Sequence, residues 1–351
     1  MNPFRILGKD IQVESTTWFS KHSPQSLSEI VGNRQSIQNI ESYLLHRNIP
    51  HLILIGPNGT GKSTAIKCLV EAYLGPKGSR LRKDACLEIN GAIDRGKDVV
   101  SEKTDGKKGD RSAGQPNVIS FIKKRVALPP NTSKIIVIYD FDFMTPEAQM
   151  ALRRIMERFD NTRFILQCNN GNVIEAIQSR CTPLRFASLS DDEMMEGLNR
   201  IAVKEKIDLP VDVGRLICLS ANGDLKKGIG YLQVISMSSG VTSDNFYKIF
   251  NIPSLESINE LIAHCISGNN SGGYDVVTRM LKNGYNVDDI LDVLLKVILR
   301  RTDLRDLQTF FIQAISETFL LTETCYSDTH LHALISKLCI ITHTGRYDPD
   351  M

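Results

Sequence analysis

The sequence predicts an α/β domain built on a mostly parallel sheet, followed by two helical regions. Three observations carry this. Short apolar runs bounded by turn residues alternate with helical patterns through the first half of the chain. A glycine-rich octet lies between the first of these runs and an amphipathic segment. After Arg185-Phe186 the strand signal stops, and the later apolar segments have helical spacing.

The 351 residues are 42% hydrophobic and 23% charged, which suits two or three globular domains rather than a disordered tail. Lys and Arg number 42 against 40 Asp and Glu, so a net charge of +2 gives no global attraction for nucleic acid or an acidic membrane. Any site for a polyanion must be local. The eight cysteines lie apart with no C-x-x-C pair, which argues against a zinc module. With no secretory leader and no long apolar run, membrane and secreted readings are set aside and the thiols are expected to be reduced inside the cell.

Taken in order, His51 to Gly75 reads as a buried strand, a loop and an amphipathic helix ended by Gly75-Pro76. The run Ile135 to Tyr139 is a second strand, followed by Asp140 and, after Thr145-Pro146-Glu147, by a helix carrying Ala148, Ala151, Leu152 and Ile155. Arg163 to Cys168 is a third strand, ending at Asn169-Asn170-Gly171. In such a sheet, ligand loops gather at the strand C-termini. Residues 101–117 are polar and rich in Gly, Lys and Asp, and read as a mobile surface insertion. Ser190 to Glu193 is a capping box that opens a helix, and Asn251-Ile252-Pro253-Ser254 marks a second boundary. The expected domains are therefore 1–186, 187–251 and 252–351.

The octet Gly56-Pro57-Asn58-Gly59-Thr60-Gly61-Lys62-Ser63 matches G-x-x-x-x-G-K-[ST] between a strand and a helix, the context this motif requires. Its glycines let consecutive backbone N–H groups face an anion at a helix N-terminus. Lys62 brings a positive charge to the phosphates, Ser63 offers a hydroxyl to Mg²⁺, and Thr64 continues the loop into the helix. A nucleotide is the expected ligand, and the loop alone leaves kinases, GTPases and mechanical ATPases all open.

The stretch IIVIYDFDFMTPEAQMALRRIME (Ile135 to Glu157), with TRFILQCNN and IEAIQSRC after it, resembles the small subunits of replication factor C, sliding-clamp loaders of the AAA+ class. Trp18 to Pro24 with Ile30-Val31-Gly32-Asn33, the segment Asn90 to Val100, and Ala221 to Lys227 extend the resemblance over about residues 16 to 235. It implies ATP as the nucleotide, an AAA+ P-loop ATPase domain, a helical lid and a helical collar, and a pentameric assembly with sibling subunits that loads a sliding clamp onto primer-template DNA.

The resemblance also implies roles. Val31 and Gly32 would line the adenine pocket, Asn169 would sense the nucleotide, and Lys226 stands where the lid carries a sensor arginine. Arg180, in Ser179-Arg180-Cys181, would reach the ATP site of the adjacent subunit. Taken alone, Asn169 reads as a strand-end cap and Arg180 as a surface arginine. Arg95, Lys97 and Thr145, then Lys123 and Lys124, are the candidates for contact with a DNA backbone. Arg153-Arg154 resembles a helix that couples neighbouring subunits.

The departures matter as much. Where the family's strand ends L-D-E-A-D, this chain has Ile138-Tyr139-Asp140-Phe141-Asp142. In one frame Tyr139 takes the metal-side aspartate position and Asp140 that of the catalytic glutamate, one methylene short. In the other, Asp140 serves Mg²⁺ and Phe141 replaces the base. Both frames imply impaired hydrolysis. His22-Ser23 replaces Tyr-Arg, Ala92-Ile93 replaces Ser-Asp, and Lys226 lacks the planar fork of arginine. Such drift fits a divergent paralogue, for example of a large DNA virus; the expected place of action is the nucleus, or a cytoplasmic replication site in the viral case. The expected function is that of an ATP-binding clamp-loader subunit, with a hydrolysis-silent subunit as its main variation. The rivals are a helicase loader or initiator of the AAA+ class and, last, a P-loop small-molecule kinase.

Overall fold

The computed structural model describes residues 17–345 apart from 77–78, 97–116, 127, 130–131, 239, 302 and 305. Lys97 and nearly all of the 101–117 insertion therefore lie outside the described residues. Backbone contacts divide the chain into two compact units, residues 1–207 with 221–233, and residues 208–220 with 234–351.

The first unit holds a five-stranded, all-parallel sheet in the order β2-β3-β4-β1-β5. Its strands are β1 (Leu52–Ile55), β2 (Cys86–Asn90), β3 (Lys134–Tyr139), β4 (Thr162–Cys168) and β5 (Thr182–Arg185). Two helices precede β1, α1 (Trp18–Lys21) and α2 (Arg34–Leu45), and the helices between the strands are α3 (Lys62–Leu74), α4 (Arg80–Ala85), α5 (Val118–Lys123), α6 (Pro146–Arg158) and α7 (Glu175–Gln178). The central strands are near-continuous apolar runs because helices cover both faces. Period-two alternation then divides each run: Ile53, Ile136, Ile138, Phe164 and Leu166 pack with Leu152 and Ile155 of α6. Leu52, Leu54, Ile135, Val137 and Ile165 pack on the other face with Ile66 and Leu69 of α3 and Ile40 of α2.

The three strands expected from apolar runs are β1, β3 and β4, the sheet centre. β2 and β5 are its edges. CLEIN in β2 is mostly half-exposed and so lacks an apolar signature, and β5 carries Pro183, which a central strand excludes. Thr182 N–H donates to His51 O (2.7 Å) and Phe186 N–H to Ile55 O (2.8 Å), so Pro183 and Arg185 turn their backbone nitrogens to the outer side of β5.

The expected capping box is present at the start of α8 (Asp191–Glu205), with Ser190 and Glu193 bonded reciprocally. α9 (Val211–Ala221) and α10 (Leu225–Ser236) follow, the latter opened by Asp224, whose Oδ1 accepts from Lys227 N–H at 3.0 Å. In the second unit, α11 (Ser243–Phe250) ends at Asn251, whose φ of +48° closes the helix in the left-handed region. α12 (Leu255–Ile266), α13 (Asn270–Lys282), α14 (Val287–Arg300), α15 (Asp306–Thr324) and α16 (Thr329–Thr344) bury one core. Leu261, Val277, Leu291, Leu294, Phe311, Ile315 and Leu334 belong to it. Among the described residues, no helix is long and apolar enough to cross a membrane.

Candidate nucleotide-binding site

The sheet delivers its loops to one end, and the glycine-rich octet leaves β1 there to enter α3. Gly59 sits at φ +69°, and a Cβ on it would overlap the Asp224 carboxylate and lie 3.0 Å from Asp224 Cα, so only glycine fits. Thr60 Oγ1 donates to Pro57 O at 3.0 Å and tightens the loop. Lys62, only 4% exposed, donates from Nζ to Gly56 O and Pro57 O, both at 2.6 Å. Burial lowers its pKa, while Asp140 and Asp142 nearby act to raise it. A buried ammonium held over a ring of backbone groups is a charge in search of an anion.

A cleft opens beside this loop. Asn58 to Thr64, Val31, Tyr139, Asp140, Gln167 and Lys226 line it, together with Phe19, His22 and Asp224. Gly32 is off this lining; its φ of +72° and the approach of Leu189 shape the turn that carries Val31. Gly56 and Pro57 likewise contribute as the carbonyls that hold Lys62. Asn33 ties the rim together: its amide donates to Thr60 O (3.4 Å) and Ala187 O (3.1 Å) and accepts from Ala187 N–H (2.8 Å).

At the strand ends Asn169 Nδ2 donates to Asp140 Oδ1 at 3.3 Å, so the residue expected to sense the nucleotide and the acidic residue after β3 are in contact. Asp140 adopts φ +50°, a conformation that Asp and Asn tolerate best among side-chain-bearing residues. Asp142 is used differently: its Oδ2 accepts from the backbone N–H groups of Asn169 and Asn170, both at 3.3 Å, and caps the end of β4. The Tyr139 hydroxyl donates to Glu88 Oε2 at 3.5 Å. Burial first, and then Glu88, push the phenol above its ordinary pKa, so it stays protonated and cannot ligate a cation as a carboxylate does. Ser63 Oγ donates to Gln167 Oε1 at 2.7 Å.

Among the described residues no group of three His, Cys, Asp or Glu is placed to hold a metal. Ser63 and Asp140 nonetheless share the cleft, and one hydroxyl with one carboxylate suits a Mg²⁺ that keeps waters and phosphate oxygens for its remaining positions.

The partners that Lys226 and Glu205 find at this rim were not legible in the sequence. Lys226 Nζ lies 4.8 Å from the centroid of the Phe19 ring, and Glu205 pairs with Lys21 (2.8 Å) and His22. These hydrogen bonds hold the Glu205 carboxyl below its ordinary pKa. His22, in the His22-Ser23 pair that replaces the family's Tyr-Arg, is thus an anchor between α1 and α8.

Other candidates sit outside the cleft. Arg180 pairs with Glu157 and donates to Ala176 O at 2.8 Å on the surface after α7. Arg95 and Thr145 meet: Thr145 N–H donates to Arg95 O at 3.2 Å, the Thr145 hydroxyl caps α6, and the Arg95 guanidinium lies 5.6 Å from the Phe143 ring centroid. Lys124 is paired with Asp84 at 2.7 Å. Arg153 buries its Nε without a partner among the described residues, on the face of α6 next to Arg154.

Comparison with known proteins decides the family. The chain is 33% identical over 330 residues to the probable replication factor C subunit 2 of Dictyostelium discoideum, covering 93% of this chain and 92% of that one. It is 34% identical over 284 residues to replication factor C subunit 4 of Schizosaccharomyces pombe, covering 80% and 78%. The chain belongs to the replication factor C family. The replication factor C small subunit of Methanoregula boonei is 31% identical over 330 residues, covering 93% and 97%. The profile described as "Replication factor C C-terminal domain" matches residues 253–337, and that of "DNA polymerase III, delta subunit" matches residues 32–190. Among solved structures, the RuvB Holliday junction branch migration motor of Thermotoga maritima is 14% identical with a TM-score of 0.49, covering 70% of this chain and 79% of that one. These relatives are cellular, and they lend the viral reading no support.

Proposed function

We propose that this chain is an ATP-binding subunit of a clamp loader, one member of a hetero-pentamer that places a sliding clamp on primer-template DNA during replication. The observation that carries the reading is the complete phosphate loop with Lys62 buried at its centre, in a chain of this family. Backbone N–H groups at the start of α3 and the Lys62 ammonium would receive the phosphates, and Val31 with its neighbours would receive the base. Ser63 and Asp140 would hold Mg²⁺, which when bound neutralises phosphate charge. Asn169, bonded to Asp140, ties the strand that would sense the γ-phosphate to the acidic position. Arg180 lies off its own chain's cleft, as an arginine serving a neighbouring subunit must.

Hydrolysis at this site is slow in the proposed reading. Tyr139 supplies no carboxylate, and Asp140 is short for a base that must reach water. Nucleotide binding would then serve mainly to order the interface between subunits, and the nucleus is the expected place of action. DNA contact would rest on Arg95, Lys97 and helix N-termini, reading the backbone without reading bases. A helicase loader or a small-molecule kinase finds no comparable support.

The test is an equilibrium titration of ATP into the chain and its Lys62→Ala variant, then co-purification of the chain with sibling subunits. Binding should weaken severely in the variant, and the complex should need ATP to engage clamp and primed DNA. Wild-type affinity in Lys62→Ala would overturn the site.

A further inference from the structure

Ser63 and Gln167 make a contact that the family pattern does not account for. Gln167 is 6% exposed at the penultimate position of β4, directly after the apolar run Phe164-Ile165-Leu166, and its Oε1 accepts the Ser63 hydroxyl at 2.7 Å. Both residues line the cleft. A hydroxyl that ligates a cation does so through its lone pairs, so its hydrogen must point elsewhere, and the acceptor of that hydrogen sets the direction of the lone pairs.

A carboxylate at position 139 would be one such acceptor. Tyr139 is not, because its hydroxyl is turned toward Glu88, to which it donates at 3.5 Å, and the Ser63 hydroxyl is bonded to Gln167 instead. The parallel register pairs Ile138 with Leu166, so the next residues along, Tyr139 and Gln167, sit at the ends of adjacent strands. Of the other polar groups nearby, Asp140 accepts from Asn169 through Oδ1, and Lys62, which donates to Gly56 and Pro57, has no acceptor to offer.

We infer that Gln167 is a positioning residue that has taken over the orientation of the Ser63 hydroxyl from position 139, keeping the site competent for Mg²⁺-assisted nucleotide binding without a carboxylate on β3. This rests on the nucleotide-binding reading above. The exchange moves the acceptor from one strand to its neighbour and replaces a charged group by a neutral amide. It retains the direction of the hydroxyl while giving up the attraction of a carboxylate for the cation. Binding helped by Mg²⁺ and chemistry driven by it are thereby separated, because the amide orients a ligand but offers no base.

The experiment is calorimetric titration of ATP into the full chain in excess Mg²⁺ and in EDTA, the ratio of the two affinities being the Mg²⁺ enhancement. Gln167→Ala should lower that enhancement on the order of tenfold, the usual size of losing a group that orients a metal ligand, with its effect confined to the Mg²⁺ arm. Tyr139→Asp combined with Gln167→Ala should restore it, because an acceptor returns on the neighbouring strand. Gln167→Glu, which keeps an oxygen in the same place, should retain or raise it. Mn²⁺ in place of Mg²⁺ gives a second readout, a change in the electron paramagnetic spectrum of the bound ion between wild type and Gln167→Ala.

An undiminished enhancement in Gln167→Ala would overturn the inference, as would failure of the double variant to recover. Equal losses with and without Mg²⁺ in Gln167→Ala would show a packing role only and overturn it too. Absence of ATP binding by the wild-type chain in both arms would instead remove the nucleotide-binding reading, and this inference with it.

Discussion

Replacing Gly59 by Ala strikes the one point where the phosphate loop and the start of α10 touch through a missing side chain. The new Cβ would overlap the Asp224 carboxylate and press on its Cα at 3.0 Å, so Asp224 must swing away and release Lys227 N–H. Loss of that helix cap costs about 0.5–2 kcal/mol. Holding alanine at φ +69° adds about 1–2 kcal/mol. The sum is about 1.5–4 kcal/mol, a large fraction of the margin of an ordinary domain. Trp18, the only tryptophan, lies in the same unit with its backbone N–H donating to Gln233 Oε1, so its fluorescence during urea unfolding reports the loss. Asp224→Ala alone should cost about 1 kcal/mol through the same cap. The double variant should cost less than the two single losses added, by about 1 kcal/mol, since the cap can be lost only once. ATP affinity should fall in Gly59→Ala and partly recover in the double variant. Strict additivity, to within about 0.5 kcal/mol, would show that Gly59 and Asp224 act independently and would refute the reasoning.

Arg180→Ala should leave the chain's own ATP affinity unchanged and alter its stability by less than about 1 kcal/mol, because the Glu157 pair is exposed. In a complex with one mutant subunit, phosphate release at the neighbour's site should fall steeply; loss confined to the isolated chain would end the trans role. Tyr139→Asp with Asp140→Glu should raise phosphate release from this site in a complex whose other ATP sites are disabled. Equal turnover before and after would mean that position 139 was not the defect. Arg95→Ala should flatten the plot of log DNA affinity against log salt by about one unit of slope, the share of a single neutralised phosphate, and an unchanged slope would place the DNA backbone against other residues.

What the sequence disclosed and what it concealed divide along physical lines. β1, β3 and β4 were legible because a strand covered on both faces must be apolar throughout. β2 and β5 were not, because edge strands need bury only part of themselves. The capping box at Ser190 and the stop at Gly75 were visible because their chemistry is local. The ties of Glu205 to Lys21 and His22, of Lys226 to Phe19, and of Asp224 to Gly59 join residues more than 160 positions apart, and no local pattern announces them. Gln167 left an unread trace: an amide beside the apolar stretch of a central strand needs a partner.

β5 closes the sheet at one side with an edge that is hard to extend. Its inward nitrogens are used by β1, and on the outer side Pro183 has no hydrogen to donate. The outward carbonyl of Arg185 is already taken by the Ser36 hydroxyl at 2.6 Å, from α2 lying alongside. Another chain arriving at this margin therefore meets a broken ladder and cannot zip on by backbone pairing. In the proposed assembly with sibling subunits, that refusal would have a use. Neighbours would have to recognise this chain through side chains, which can differ from subunit to subunit, whereas a ladder of peptide groups carries no such distinction.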